Sequence, residues 1–173
     1  APFDRWIAVR TAIHEEIHTR FWNDERRTFV QVKNGHAVDA SCLLMPLMRF
    51  IGPTDPRWLS TLAVVEKELV SDSLVYRYQG PMAAPDGFEG REGTFTMCSF
   101  WYVECLARGG QLGKARLAFE KMLGFANHVG LYAEELGPAG EHLGNFPQAF
   151  THLGLISAAH FLDRALSGAG QRG

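Results

Sequence analysis

Residues 93–110 read GTFTMCSFWYVECLARGG, a helical run that is apolar on nearly every side and stops at Gly109 and Gly110. A helix without a polar face has to be enclosed by other elements rather than laid against water. Two more runs share this character. DASCLLMPLMRFIG, residues 39–52, is apolar nearly all round between an N-cap at Asp39 and a stop at Gly52, and Pro46 is expected to kink or interrupt it. A third run, about 145–168, starts at Asn145 with Pro147 in its first turn and carries Phe146, Ala149, Phe150, Leu153 and Ile156. The tail SGAGQRG is expected to fray, leaving residues 168–173 outside the packed body.

Between these runs lie amphipathic ones. Residues 4–22 place Trp6, Val9, Ile13 and Ile17 on one stripe with charges opposite. TDPRW starts another, with Asp55 as cap, Pro56 at the first helical position and a stripe of Trp58, Leu62, Val65 and Leu69. Residues 112–126 turn Ala115, Phe119, Met122 and Ala126 inward and Lys114, Arg116, Glu120 and Lys121 outward. The order is amphipathic, apolar, repeated three times, so the expected fold is all-α, with six helices in three outer–inner pairs forming part of an α/α barrel or toroid. Inner-to-outer links are short. Outer-to-inner links, roughly 23–38, 70–93 and 127–144, are long and would gather at one end, over the N-termini of the inner helices. Long loops of this kind carry function more often than short ones. These contain aromatic, Arg and carboxylate groups, which suit a sugar: rings stack on pyranose faces, and Arg and acids bind hydroxyls.

The totals set bounds on this reading. The chain of 173 residues is 46% hydrophobic and 21% charged, enough for one ordinary domain with a core. A net charge of −2 gives no basic excess for nucleic acid or an anionic membrane. No apolar run approaches the ~20 residues of a membrane span. Cys42, Cys98 and Cys105 lie inside apolar segments and read as buried free thiols of a reducing compartment, so a cytoplasmic location is expected. The start, APFDRW, has neither Met nor a signal-peptide pattern and reads as either an artificial boundary or an internal cut.

Four stretches then carry a resemblance: DASCLLMPLMRFIGPTDPR, VYRY, EGTFTMCSFWYVECLA and AEELGPAGEHLGNFPQAFTHLGLISAA. Together they resemble glycoside hydrolase family 15, the glucoamylase-like enzymes and bacterial trehalases, from the first helix to about residue 168. The resemblance implies an (α/α)6 barrel, of which residues 1–173 form the C-terminal half of the catalytic domain. It implies an inverting, exo-acting α-glucosidase that releases terminal glucose, or alternatively a trehalase of the same fold, acting on a maltooligosaccharide or trehalose without a cofactor or metal. The family's short S/A-E-Q/E motif falls on Ala133-Glu134-Glu135 and assigns Glu134 as general base. Glu135 is implied to orient substrate or water. Arg77 and Tyr78 match an Arg-Tyr pair that contacts the terminal glucose. Glu92 stands where fungal members have Asn-Pro-Trp-Phe and this chain has Glu92-Gly93-Thr94-Phe95, a departure at a candidate substrate-binding residue. The general acid is implied to lie upstream of Ala1, so this chain alone is expected to be inactive.

Inversion needs carboxyls about 6.5–9.5 Å apart on opposite faces of the sugar, with room for water. Adjacent glutamates on one loop cannot straddle a sugar in this way, so Glu134 and Glu135 are not the acid–base pair by themselves. Glu141 is expected to brace the loop or cap a helix, and Asp39 to cap. His14-Glu15-Glu16-Ile17-His18 fits the HExxH pattern of zinc proteases, but HTRFWNDE supplies no third ligand. The alternative of another class is a non-catalytic helical-hairpin scaffold. Inner helices left uncovered at the edges of a half-barrel are expected to make the isolated chain self-associate.

Overall fold

The computed structural model describes residues 2–79 and 92–170. Among these are six helices: α1 (Phe3–Arg20), α2 (Leu44–Leu47), α3 (Pro56–Leu69), α4 (Thr96–Arg108), α5 (Leu112–Leu123) and α6 (Ala149–Gly170). A 3-10 turn, Ala40–Leu43, leads into α2. Seven two-residue strands occupy the long loops: β1 (Trp22–Asn23), β2 (Thr28–Phe29), β3 (Val70–Ser71), β4 (Leu74–Val75), β5 (Thr94–Phe95), β6 (Glu135–Leu136) and β7 (His142–Leu143). They pair antiparallel as β1–β2, β3–β4 and a β5–β6–β7 sheet with β6 in the centre. The fold is all-α, and these short ladders, which periodicity did not indicate, stiffen the loops.

α4 is enclosed, as its composition requires. Phe100, Tyr102, Val103, Cys105, Leu106 and Ala107 are all buried. The α3 stripe of Trp58, Leu62, Val65 and Leu69 belongs to the same core, each 2% exposed or less. α5 supplies Ala115 and Met122. α6 makes the most extensive helix contact with α4. Two small residues, Thr151 and Ala158, are buried along one face together with Leu162. Gly154 belongs to that face; a Cβ there would lie 3.3 Å from the Phe100 Cβ, so the bare backbone sets the close approach. Asp55 and Asp39 cap as expected, accepting hydrogen bonds from Arg57 N at 2.8 Å and Ser41 N at 2.7 Å. The three cysteines are buried and free. Burial pushes the Cys42 and Cys98 thiols up to about 12, and raises Cys105 as well.

Three expectations change. The apolar run at 39–52 forms only a 3-10 turn and one turn of α2, because Pro46 has no N–H to continue the ladder. The chain then bends at Arg49, which takes a φ of 59°. α6 starts at Ala149, later than expected, because the Asn145 backbone is bound to Glu134. α6 also runs to Gly170, past the expected start of the tail, and residues 171–173 lie outside those described. Finally, α1 buries none of its residues. Trp6, Val9 and Ile13 are 58%, 51% and 51% exposed, and on α6 Phe150, Leu153 and Ile156 are 54%, 62% and 64% exposed. The first and last helices thus present apolar faces that no described element covers. No described helix is long and apolar enough to cross a membrane.

One buried charge fastens the α4–α6 pair. Glu104, 1% exposed, accepts from Arg108 Nε at 2.7 Å and from Ser157 Oγ of α6 at 2.6 Å. Arg108 lies over the Phe161 ring of α6 at 3.6 Å. Glu104→Ala strands Arg108 and Ser157 at this interface and is expected to cost about 3 kcal/mol, the low end for removing one partner of a buried pair. Glu120→Ala, which breaks only the exposed Arg116–Glu120 pair, is expected to cost under about 0.5 kcal/mol. Chemical denaturation of both variants measures the difference, and equal losses would remove the buried carboxylate from this role.

Candidate functional site

The three long loops meet over the N-terminal ends of the inner helices. Ala40 N, at the start of the 3-10 turn that follows the first loop, donates to Arg77 O of the second loop at 2.8 Å. Thr96 N, at the start of α4, donates to Glu134 O at 3.0 Å, joining the second to the third. The β5–β6 ladder runs alongside, with Thr94 opposite Leu136 and Phe95 opposite Glu135. Backbone groups therefore set the position of the Glu134–Glu135 doublet.

The two carboxylates diverge. Glu135 lies on β6, and its Oε2 accepts from Gly93 N at 2.8 Å, toward the segment that precedes β5. Glu134 reaches the other way, toward the segment that follows β7, where its Oε2 accepts from Asn145 N at 2.9 Å. The Glu134 N–H donates to Asn145 O at 3.0 Å, so residue 134 is bound to residue 145 by both backbone and side chain. Glu134 Oε1 accepts no hydrogen bond from the described residues. Both glutamates are half-buried. Each carboxylate thus has one oxygen committed to a backbone amide and another not engaged by the described residues, which is what a proton acceptor needs.

Beside Glu135 stands a polar relay. Gly93, whose amide holds Glu135, follows Glu92, and Glu92 pairs with Arg77 Nη2 at 2.6 Å. Arg77 Nη2 also donates to the Tyr78 hydroxyl at 2.8 Å. The Arg77 guanidinium lies over the Tyr78 and Phe95 rings, at 4.7 and 5.1 Å from their centroids. Burial works against the Arg77 charge, but Glu92 and Tyr78 outweigh it and hold its pKa above the ordinary value. Cys98 lies close enough to feel Asp39, Arg77 and Glu92. The structure therefore brings Arg77, Tyr78, Glu92 and Glu135 into one connected group, with Glu134 joined to it through the backbone. Parts of the second loop, residues 80–91, lie outside the described residues.

Several residues of the site were not singled out from sequence. Gly93 is one: a Cβ there would fall 2.5 Å from Leu136 O. Asn145 is another, read first as a helix start. Glu141 closes its own turn, accepting from Ala139 N at 2.8 Å. Asp39, besides capping, accepts from Gln31 Nε2 at 3.2 Å. The His14 and His18 rings lie tilted to each other with centroids 4.4 Å apart; His14 is tilted against Phe50 at 5.0 Å and His18 stacks on it at 5.2 Å. Glu16 turns away to pair with Lys33. No group of three His, Cys, Asp or Glu side chains able to hold a metal occurs among the described residues. A groove of about 940 Å³ between α1 and Met48–Phe50 contains none of the site residues.

The chain matches the model of Glycosyl hydrolases family 15 over residues 1–160. It is 46% identical over 162 residues to a trehalase of Mycobacterium tuberculosis, covering 93% of this chain and 24% of that protein. It is 40% identical over 168 residues to a trehalase of Thermoplasma volcanium, covering 96% of this chain and 26% of that protein. The chain thus spans about a quarter of the length of these curated relatives. In fold it is similar to a solved glycosidase, with a TM-score of 0.76 at 20% identity over 91% of this chain and 44% of that one.

If Glu135 fastens the loop, Glu135→Ala leaves the buried Gly93 N–H without its acceptor and is expected to cost about 1–3 kcal/mol. Glu141→Ala, which opens an exposed turn, is expected to cost less. Thermal denaturation of the two variants compares them, and an unshifted Tm for Glu135→Ala would contradict the fastening role.

Proposed function

The chain belongs to glycosyl hydrolase family 15, and from that membership we propose that it forms the C-terminal half of the catalytic domain of an inverting enzyme that frees glucose from an α-linked glucoside. Glu134 is the general base, and Arg77, Tyr78, Glu92 and Glu135 bind the sugar around it. The observation that carries this reading is the Glu134 carboxylate itself. Its Oε2 is held by Asn145 N and its Oε1 is not engaged by the described residues; Glu135 has the same pattern on Gly93 N, and the motif at Ala133-Glu134-Glu135 is what favours Glu134 over it.

In this mechanism a water on one face of the sugar ring attacks the anomeric carbon and gives its proton to Glu134. A carboxylic acid on the opposite face protonates the departing oxygen. That acid is expected in the part of a longer polypeptide that lies outside this chain. Arg77 offers a rigid fork of donors suited to paired hydroxyls, and Glu92 fixes its orientation. The divergence of Glu134 and Glu135 fits a base plus a binding residue rather than two halves of one acid–base pair.

For the substrate, the trehalases among the relatives favour trehalose over maltooligosaccharides. In a polypeptide of the relatives' length that carries this chain, Glu134→Gln is expected to lower kcat by about 10²–10⁴-fold, the usual contribution of general acid–base catalysis. A near-normal rate would exclude Glu134 as base. Turnover of trehalose is expected to exceed that of maltose, and the reverse preference would restore the glucoamylase-type reading.

The exposed faces of α1 and α6 fit the edges of an unclosed ring. The isolated 173-residue chain is therefore expected to self-associate. Light scattering checks this, and a stable dilute monomer would mean that the six helices close their own core and that the half-barrel reading fails.

A further inference from the structure

We infer that Gly144 is a positioning residue for Glu134: the absence of a side chain at 144 is what lets the Glu134 carboxylate rest on Asn145 N with Oε1 directed to the reacting water. The inference rests on the reading of Glu134 as general base and deepens it.

Gly144 has a φ of +71°, in the left-handed region. A Cβ built on it would lie 2.8 Å from Glu134 Oε2, 3.1 Å from its Cβ and 3.4 Å from its Cδ. The first distance is shorter than any normal carbon–oxygen contact, so the carboxylate would have to move. It has little freedom to move and keep its role. The Glu134 backbone is fixed by Thr96 N on its carbonyl and by Asn145 O on its amide, so only side-chain rotation remains. Rotation would take Oε2 off Asn145 N and redirect Oε1.

A left-handed glycine can also be retained for backbone strain alone. Gly130 separates the two causes. It has a φ of +80° in the same long loop, and a Cβ built there meets nothing within 4 Å. Ala at either position carries left-handed strain, but only Ala at 144 meets Glu134.

The test uses a polypeptide of the relatives' length carrying Gly144→Ala, Gly130→Ala, Glu134→Gln and the double variant Gly144→Ala with Glu134→Gln. A misplacement of about 1 Å can cost roughly 10²-fold, so Gly144→Ala is expected to lower kcat about 10–100-fold with KM little changed. Gly130→Ala is expected to lower Tm by a similar amount and leave kcat near normal. In the Glu134→Gln background, Gly144→Ala is expected to cause no further loss, because both act through one carboxylate. Equal kcat losses in the two glycine variants, or a full additional loss in the double variant, would overturn the inference. Normal kcat in Gly144→Ala beside a collapse in Glu134→Gln would overturn the positioning role alone. Normal kcat in Glu134→Gln would overturn the base reading and this inference with it. Should Gly144→Ala not fold, amide exchange at Asn145 decides: faster exchange in Glu134→Ala supports the contact, and unchanged exchange overturns it.

Discussion

The rest of the structure depends on α4 having no side to give to water. Between Thr96 and Ala107 ten residues are buried, including Phe100, Tyr102, Val103, Cys105 and Leu106. Hydrophobic burial at this density requires neighbours on every side, and α5, α6, α2, β4 and the 3-10 turn provide them, with the Tyr102 hydroxyl reaching Glu66 of α3. The neighbours differ in how they make the contact. α5 brings Ala115 and Met122, while α6 brings Thr151, Gly154 and Ala158 and comes close enough for backbone to meet Phe100. The single carboxylate in the middle, Glu104, is tolerated because Arg108 and Ser157 satisfy it.

The position of α4 also determines the site. Its first amide, Thr96 N, holds the Glu134 carbonyl, and the strand just before it, β5, pairs with the strand that carries Glu135. The helix that anchors the core therefore also anchors the acidic loop. β6 is the central strand, and its two flanking segments each receive one carboxylate: Gly93 takes Glu135 and Asn145 takes Glu134. Two adjacent acids are thereby given different surroundings.

The molecule's edges follow a different logic. α1 and α6 have the apolar periodicity of packed helices, yet Trp6, Val9, Phe150, Leu153 and Ile156 remain more than half exposed. On α6 the covered face is the one lined with small residues, and the face with the larger side chains is left open. A stripe on a helical wheel states that a face requires a partner; it does not state which chain segment supplies one.

The sequence by itself determined the helical order, the caps at Asp39 and Asp55, the stops at Gly109 and Gly110, the enclosure of α4 and the location of the acidic doublet in a long loop. These are local matters of propensity, periodicity and hydrogen-bonding termini, which a chain carries wherever it folds. Only the tertiary structure decided that the chain would turn at Arg49 and leave the second helix one turn long, that Asn145 would leave α6 to bind Glu134, and that Gly93 and Gly144 would lie against the two glutamates. Glycine has no side chain to reveal its neighbours, and a backbone amide reads the same at every position. Their roles come from what lies within a few ångströms across the β5–β6–β7 sheet, and that proximity exists only once residues 93, 134 and 144 have been brought together by folding.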